Sequence, residues 1–468
     1  MALFSTIALP ILQPEFMTTK KTSYSLTKDD IQPTLVAMTL PMLVGMITLM
    51  TFNLVDTFFI SMLGTVQLAA ISFTFPVSFT LISLSIGLSI GTSAVIAKAL
   101  GAGSLTEART DGQVALCLSA LLVAVLAVLG YVFTVPLFTA LGADTDTLSY
   151  IRQYMDIWFC GAVLLVLPMV GNAVLRASGD TKTPSIIMAC SGLVNAVLDP
   201  ILIFGLGPLP AMGMHGAAIA TVISWVFGSA LILYLLVKRG LITTNWIKPV
   251  LLLSICRKIL RIGLPAAGAN MLTPLAMGIL TAIMASYGAA AVAAFGVGAR
   301  LESIACLVVL ALSMTLPPFV SQNYGAGLMS RVQQAYRLCA RFVMLWQFGI
   351  YLLLAVLAYP VATLFSDEPE VIRILCQFIW IVPLAYGLQG ITILTNSSFN
   401  ALHLPGSALV LSLIRLFVFY VPFAWLGGKL YGITGLFIGC VLANVFTATL
   451  AWRWFNRAVV RNLQEVTA

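Results

Sequence analysis

Two aspartates stand inside long apolar stretches of this sequence, where an ionisable side chain is expensive to place. Asp56 is the only charged residue between positions 33 and 63, and Asp199 lies four residues after Asn195, immediately before Pro200. The four-residue spacing puts Asn195 and Asp199 on one face of a helix. A carboxylate at bilayer depth is disfavoured by about 2.5–3.5 kcal/mol on insertion scales. Both acids are therefore predicted to face a protein-lined cavity and to mark a functional site.

Asn195 and Thr221 supply neutral groups that two carboxylates could use to hold a proton or a small hard cation. Pro200 cannot donate a hydrogen bond to the carbonyl of Ala196, which leaves a free acceptor beside Asp199. In a shielded cavity the two acids would titrate as a unit. The alternative interpretation is that these polar side chains only bond neighbouring helices.

The composition places these residues in a helical membrane protein. Hydrophobic residues make up 60% of the 468 residues and charged residues 9%, and the mean hydropathy is +1.04. A soluble protein of this length could not cover that much apolar surface. Most basic residues lie between the apolar segments, so the net charge of +8 does not indicate nucleic acid binding. The predicted fold class is an all-α polytopic protein of the lipid bilayer.

Twelve apolar segments, separated by turn-rich or charged stretches, are predicted to span the membrane. Their approximate positions are 34–62, 67–97, 113–135, 151–175, 184–206, 213–237, 258–286, 290–321, 334–360, 371–398, 405–428 and 431–454. Most of the 24 lysines and arginines fall in the N-terminal arm, the even-numbered loops and the C-terminus. By the positive-inside rule both termini are predicted to be cytoplasmic.

The two halves of the chain repeat one another. Leu40-Pro41 recurs 224 residues later as Leu264-Pro265, and Gly101-Ala-Gly103 recurs at the same offset as Gly325-Ala-Gly327. Each half has an even number of predicted helices, so we expect two parallel six-helix lobes related by a pseudo-twofold axis along the membrane normal. The predicted arm, N-lobe, inter-lobe loop, C-lobe and tail are 1–32, 33–240, 241–257, 258–455 and 456–468.

The acidic cluster belongs to the first half alone. When the two halves are aligned, Leu280 corresponds to Asp56 and Cys440 corresponds to Thr221. The segment that corresponds to the Asp199 segment has no carboxylate. The second half carries Arg300 and Glu302 instead, on predicted helix eight. Residues two apart do not face each other on a helix, so structural pairing and a role in binding or gating both stay open. Arg415 is a candidate partner for Glu302.

Motifs of membrane enzymes and metal sites are missing from the sequence. There is no Walker A loop, HExxH or GxSxG motif, and the eight cysteines form no CxxC or Cys/His cluster. The prediction is a protein that is not an enzyme, has no cofactor and is driven by an ion gradient. An intramembrane enzyme is the alternative from another class.

The sequence resembles the MATE (multidrug and toxic compound extrusion) transporters, and within them the DinF-like, proton-coupled branch. The resemblance covers essentially residues 33–455. It is carried by the motifs Leu40-Pro41, Val55-Asp56-Thr57, Gly101-Ala-Gly103, Arg176-Ala-Ser-Gly-Asp180, Asn195-xxx-Asp199-Pro200 and Gly216-Ala-Ala-Ile-Ala-Thr221.

This resemblance implies two lobes around a central cavity and an antiporter that exports cationic or amphipathic organic compounds in exchange for protons or sodium. It implies a proton or cation network of Asp56, Tyr154, Asn195, Asp199 and Thr221. It further implies that Asn172 and Ser224 bind substrate and that helix one bends at Pro41. The expected setting is a monomer in the bacterial inner membrane.

Two positions depart from the NorM-like branch, which carries acids on helices seven and ten. The nearest residues here are Thr273 and Gln389, so a C-lobe sodium site is not expected. Sodium at Asp56, Asn195, Asp199 and Thr221 stays an alternative to protons. A flippase of lipid-linked precursors, from the related superfamily, is the other transporter alternative, although such proteins carry cationic residues in the cavity.

Overall fold

The computed structural model describes residues 25–205, 210–243 and 247–467, excluding the side chains of Asn53 and of 462–467, and these residues are almost entirely helical. The helices are α1 (Ile31–Ser61), α2 (Thr65–Gly101), α3 (Leu105–Val132), α4 (Thr134–Ala140), α5 (Thr145–Ala177), α6 (Lys182–Phe204), α7 (Gly213–Lys238), α8 (Pro249–Ala285), α9 (Ala289–Ala305), α10 (Leu307–Gly325), α11 (Met329–Val356), α12 (Ala358–Phe365), α13 (Pro369–Ile381), α14 (Tyr386–Ala401), α15 (Pro405–Leu413) and α16 (Val421–Thr467). A 3-10 turn (Val382–Ala385) joins α13 to α14, and a π-helix (Ile414–Tyr420) joins α15 to α16. The predicted fold class, an all-α polytopic membrane protein, is confirmed.

Within the described residues, nine helices are long and apolar enough to cross a membrane, or ten if the bent pair α9–α10 is one span. That pair bends by 45° at Cys306. The last of the nine, Pro405–Arg461, contains non-helical residues at Tyr431 and Gly432. The chain folds back there, since Gly427 packs against Gly435. The predicted number of twelve spans stays a prediction, because length and composition alone do not count these segments.

Two helices start earlier than the sequence predicts. Helix α8 begins at Pro249, inside the stretch 241–257 that the sequence predicts to be a loop. Proline suits the first turn of a helix because its missing N–H has no intrahelical partner there. Helix α1 begins at Ile31, inside the expected arm 1–32. Most of that arm, residues 1–24, lies outside the described residues.

The internal repeat is visible in the turns. Backbone angles in the left-handed region, which favours glycine, recur at equivalent positions of the two halves. The pairs, with their φ angles, are Gly64 (135°) and Gly288 (106°), Gly103 (81°) and Gly327 (74°), Gly179 (90°) and His403 (59°), and Gly213 (53°) and Gly432 (62°). The first three pairs are 224 residues apart and the last 219. The sequence repeat is therefore a repeat of structure.

The N-lobe has an apolar core of buried side chains from α2, α3, α5, α6 and α7, such as Leu88 and Val166, which Ile259 of α8 joins from the C-lobe. The C-lobe has another, around Leu375 and Phe437. These side chains pack closely against each other inside the bundle. The outer surface of the bundle is apolar as well, because it faces lipid. Each lobe is thus a packed unit.

Helix α1 is shared between the lobes. Its first turns place Leu35 and Met38 in a core with Phe319 of α10. Thr39 contacts Thr315 of α10 as well, with 2.9 Å between the two hydroxyl oxygens. The later turns of α1 pack on α6 of the N-lobe. A change in the packing of α1 on one lobe therefore also changes its packing on the other lobe.

The lobes touch closely at one end, which we call the basic face because it carries Lys98, Arg239, Lys258 and Arg331. Helix α2 crosses α8 there, where Gly91 packs against the carbonyl of Ile259. An ion pair of 2.9 Å between Lys258 of α8 and Glu107 of α3 also joins the lobes. Glycines at these crossings let the backbones approach, as is common between membrane helices.

Candidate functional site

The acidic pair lies where α1 packs tightly on α6. Gly45 is so close to Ser185 that a Cβ would come within 2.9 Å of the Ser185 Cα. Two turns further along, Gly192 of α6 receives the ring of Phe52. Both contacts join residues 140 apart, so the helices run side by side in the same direction. This close packing carries Asp56 of α1 to the side of α6 on which Asp199 lies.

The carboxyl groups of Asp56 and Asp199 approach each other to hydrogen-bonding distance. Asp199 is fully buried, and its Oδ1 accepts a hydrogen bond of 3.1 Å from the amide of Asn195. Asp56 Oδ1 and Asp199 Oδ2 are buried and receive no hydrogen bond from a donor in the described residues. Two carboxylates can share such a contact only if one of them carries a proton. Such an arrangement can hold one proton between the two acids.

Tyr154 and Thr221 complete the polar group around this pair. Tyr154 of α5 is buried, its hydroxyl lies beside that of Thr221 of α7, and both aspartates are near enough to interact with it electrostatically. The Thr221 hydroxyl donates to the carbonyl of Ala217 over 3.0 Å. The structure thus gathers Asp56, Tyr154, Asn195, Asp199 and Thr221 from α1, α5, α6 and α7.

The two residues expected to bind substrate lie apart from each other. The Ser224 hydroxyl donates to the carbonyl of Thr221 over 2.7 Å, which places it one helical turn from Thr221. Asn172 of α5 is buried, and its Oδ1 has no hydrogen-bond partner among the described residues. An unpaired amide oxygen in a buried position is a free acceptor for a ligand. Their binding of substrate stays a prediction.

Pro41 lies in α1 two residues after Thr39, the residue that contacts the C-lobe. Helix α1 runs without interruption from Ile31 to Ser61 through this proline. The expected bend at Pro41 stays a prediction for another conformation of the protein.

The C-lobe contains a half-buried acid, Glu302, whose partner the sequence did not identify. Glu302 accepts a hydrogen bond of 2.7 Å from the side-chain amide of Gln389 on α14. Arg415, its candidate partner, instead lies over the ring of Tyr420, 5.8 Å from the centroid. Among the described residues no ion pair joins Arg415 to Glu302. The direct hydrogen-bond partner of the acid is therefore a neutral amide, and Arg415 interacts with it only from a longer distance.

Comparison with known proteins gives a consistent result across both lobes. The family model MatE matches residues 41–201 and 265–426. A Shewanella oneidensis protein named FAD transporter is 42% identical over 459 residues, covering 96% of this chain and 99% of its own. The probable multidrug resistance protein NorM of Thermotoga maritima is 25% identical over 92% of this chain and 95% of its own.

A solved structure shows the same fold. The crystal structure of the Vibrio cholerae MATE transporter VcmN in the bent form superimposes with a TM-score of 0.88 at 36% sequence identity. The match covers 95% of this chain and 99% of that one.

Proposed function

Because this chain belongs to the MatE family of membrane transporters, we propose that it is a secondary antiporter that exports cationic or amphipathic organic compounds in exchange for protons. The observation that carries the proposal is the contact between the carboxyl groups of Asp56 and Asp199. A shared proton satisfies this contact directly. Several relatives named for multidrug resistance or multidrug export, among them those of Thermotoga maritima and Staphylococcus haemolyticus respectively, support the substrate class.

Helix α1 can transmit the effect of proton binding to the contact between the lobes. With a proton shared, Asp56 and Asp199 attract each other; without it, two negative charges repel across the α1–α6 contact. Since the first turns of α1 pack on the C-lobe, a change at Asp56 alters the contact between the lobes. A proton shifts this equilibrium only by binding one state more tightly than the other. Substrate release on protonation follows if the deprotonated pair favours the loaded state.

The orientation of the chain also belongs to this proposal. The basic face carries Lys98, Arg239, Lys258 and Arg331, and the positive-inside rule places such a face in the cytoplasm. The lobes are then closed on the cytoplasmic side. Protons would reach Asp56 and Asp199 from outside the bacterial inner membrane.

Sodium is the alternative coupling ion. A sodium ion needs several oxygen ligands around it, whereas here Asn195 directs its N–H at Asp199 and the two carboxyls meet directly. Protein reconstituted in vesicles and given either a pH gradient or a sodium gradient separates the two. Ethidium accumulation driven by the pH gradient without sodium supports proton coupling. Accumulation that requires the sodium gradient would replace the proton with sodium.

FAD or a similar flavin is a second candidate substrate. It is favoured by the 42% identity, over nearly the full length of both chains, to the protein named FAD transporter. FAD is amphipathic but carries negative phosphates, so it differs in charge from the first candidate class. Vesicles that take up FAD under the same pH gradient, in competition with ethidium, would place both compounds in one pathway.

A further inference from the structure

Arg300 is a charged residue that the proposed coupling site leaves without a role. It lies in the second half of α9, well inside the bent span that α9 and α10 form. Its side chain is exposed, and it forms no ion pair within the part of the chain that the structure describes. A charge at bilayer depth is strongly disfavoured against lipid and is found facing protein cavities and water.

Arg300 points away from the interior of the C-lobe. The buried face of α9 includes Phe295 and Gly298, and Gly298 packs against the ring of Phe378 on α13. Two residues along a helix is a rotation of roughly 200°, so Arg300 lies opposite that buried face. Lipid and the space between the lobes are the two remaining surroundings, and the charge favours the space between the lobes.

The contact between Thr315 and Thr39 shows which side of the span faces α1. About four helical turns separate Arg300 from Thr315, and the 45° bend at Cys306 lies between them. Helix α1 packs extensively on α10, below the bend, and has far less contact with α9, above it. Arg300 therefore borders the space between α1 and α9, which we call the inter-lobe space.

Arg300 and Asp56 stand at similar heights on opposite walls of this space. From the Thr39–Thr315 contact, Asp56 is roughly 25 Å along α1 and Arg300 roughly 22 Å along the other span, at 1.5 Å per residue. Asp56 is turned to Asp199 in the N-lobe. Glu302 is bonded to Gln389. The guanidinium is thus left facing the inter-lobe space without a counter-ion.

We propose that Arg300 binds the phosphate of an anionic aromatic substrate in the inter-lobe space. This inference rests on the second candidate substrate class, the phosphate-bearing flavins. A guanidinium offers planar paired N–H groups that match two phosphate oxygens. The attraction is stronger in a cleft walled by apolar helices than in water. Arg300 would then select substrate charge, while Asp56 and Asp199 handle protons.

Flavin mononucleotide and riboflavin test this assignment, because they share a ring system and differ by one phosphate. Binding of each to the purified full-length protein is measured by flavin fluorescence. We expect the wild-type protein to prefer the mononucleotide. Arg300→Gln should reduce that preference about tenfold or more, the usual size of a charge-assisted hydrogen bond. Arg300→Lys, which keeps the positive charge but not the paired N–H groups, should retain part of the preference for the mononucleotide.

Arg152→Gln is the matched control. Arg152 is also an exposed arginine, and it lies 3.7 Å from Asp156 on α5. Its removal should leave the ratio of the two affinities unchanged. Equal weakening of both flavins by Arg300→Gln would show a structural role and overturn the proposal, and so would equal binding of both flavins by the wild-type protein. Neither outcome bears on antiport itself, which pH-driven ethidium transport tests without a phosphate.

Discussion

Gly101 of α2 packs so closely on the backbone carbonyl of Gln322 in α10 that no side chain fits between them. Gly325, its counterpart in the second half, packs in the same way on the carbonyl of Lys98. The repeated Gly-Ala-Gly sequence thus joins the lobes from both sides of the pseudo-twofold axis. Gln322 adds a hydrogen bond of 2.7 Å from its amide to the carbonyl of Ala177. The closed basic face depends on these small residues.

Gly101→Ala should open this contact. The added methyl would overlap the Gln322 carbonyl, which is backbone and cannot rotate away. Overpacking of this kind destabilises by about 1–3 kcal/mol. We expect a lower melting temperature of the purified protein and slower pH-driven ethidium transport. Gly325→Ala should behave alike, because it meets the carbonyl of Lys98 in the equivalent place.

Gly349→Ala serves as the control for both substitutions. Gly349 is a helical glycine of α11, and no heavy atom outside its own helix lies within 4 Å of an added Cβ. Alanine there should leave transport unchanged and raise stability by roughly 0.5–1 kcal/mol, through a better helix propensity. If Gly349→Ala slowed transport as much as Gly101→Ala, the lobe contact would not be the cause.

The repeat could be predicted from sequence because its turns need glycine at fixed positions. Gly103 and Gly327 show this, since both have positive φ angles. The pair of Gly179 and His403 is not recognisable in the sequence, because His403 has the same left-handed backbone conformation as Gly179 although it is not a glycine. Residue identity alone does not reveal a backbone angle that a histidine rarely adopts.

The acidic pair was also predictable, because one charge inside an apolar run is conspicuous in any sequence. The bond between Glu302 and Gln389 was not. A single glutamine on an apolar helix is ordinary, and its partner depends on how α9 and α14 pack. Tyr154 and Asn172 gave no signal of their own for the same reason. They were suggested only by the resemblance to a family.

Asp56→Asn should uncouple transport from the proton gradient. The amide keeps the shape of the side chain and can still hydrogen-bond to Asp199, but it cannot exchange a proton. We expect pH-driven ethidium accumulation in vesicles to fall about tenfold or more, since the two states would no longer differ in proton affinity. The amount of folded protein in the membrane should not change.

Asp156→Asn is the control for charge removal. Asp156 is a partly exposed acid on α5 whose neighbour is Arg152, at 3.7 Å. We expect its loss to leave accumulation near the wild-type level, because exposed ion pairs contribute little. Full activity in Asp56→Asn would refute the proposed coupling site.

Asp56 and Asp199 should behave as one unit in a double-mutant cycle. Their carboxyls contact each other, so removing either one already destroys the shared proton site. We therefore expect the double variant Asp56→Asn/Asp199→Asn to transport no more slowly than the slower single variant. The initial rate of pH-driven ethidium accumulation in vesicles is the measurement. Effects that simply multiply would mean that the acids act at separate sites.

The contact between the lobes should weaken in acid because of His403. This residue lies in the turn between α14 and α15, and its Nε2 is 3.3 Å from the carbonyl of Ala94 on α2, to which it donates in the Nε2–H tautomer. Burial, together with the nearby charge of Lys98, lowers the pKa of His403 from 6.5 to about 4. The folded protein therefore keeps this ring neutral at pH values where the unfolded chain protonates it.

As pH falls from 6.5 toward about 4, the unfolded chain binds more protons at His403 than the folded protein does, so stability is lost over that window. Above 6.5 both forms are neutral and this contribution is constant. The melting temperature should therefore fall more steeply in acid for the wild-type protein than for His403→Gln. His215→Gln, which removes the other histidine, should keep the wild-type slope. An unchanged slope in His403→Gln would assign the acid sensitivity to other groups, because glutamine can still donate to Ala94 without titrating.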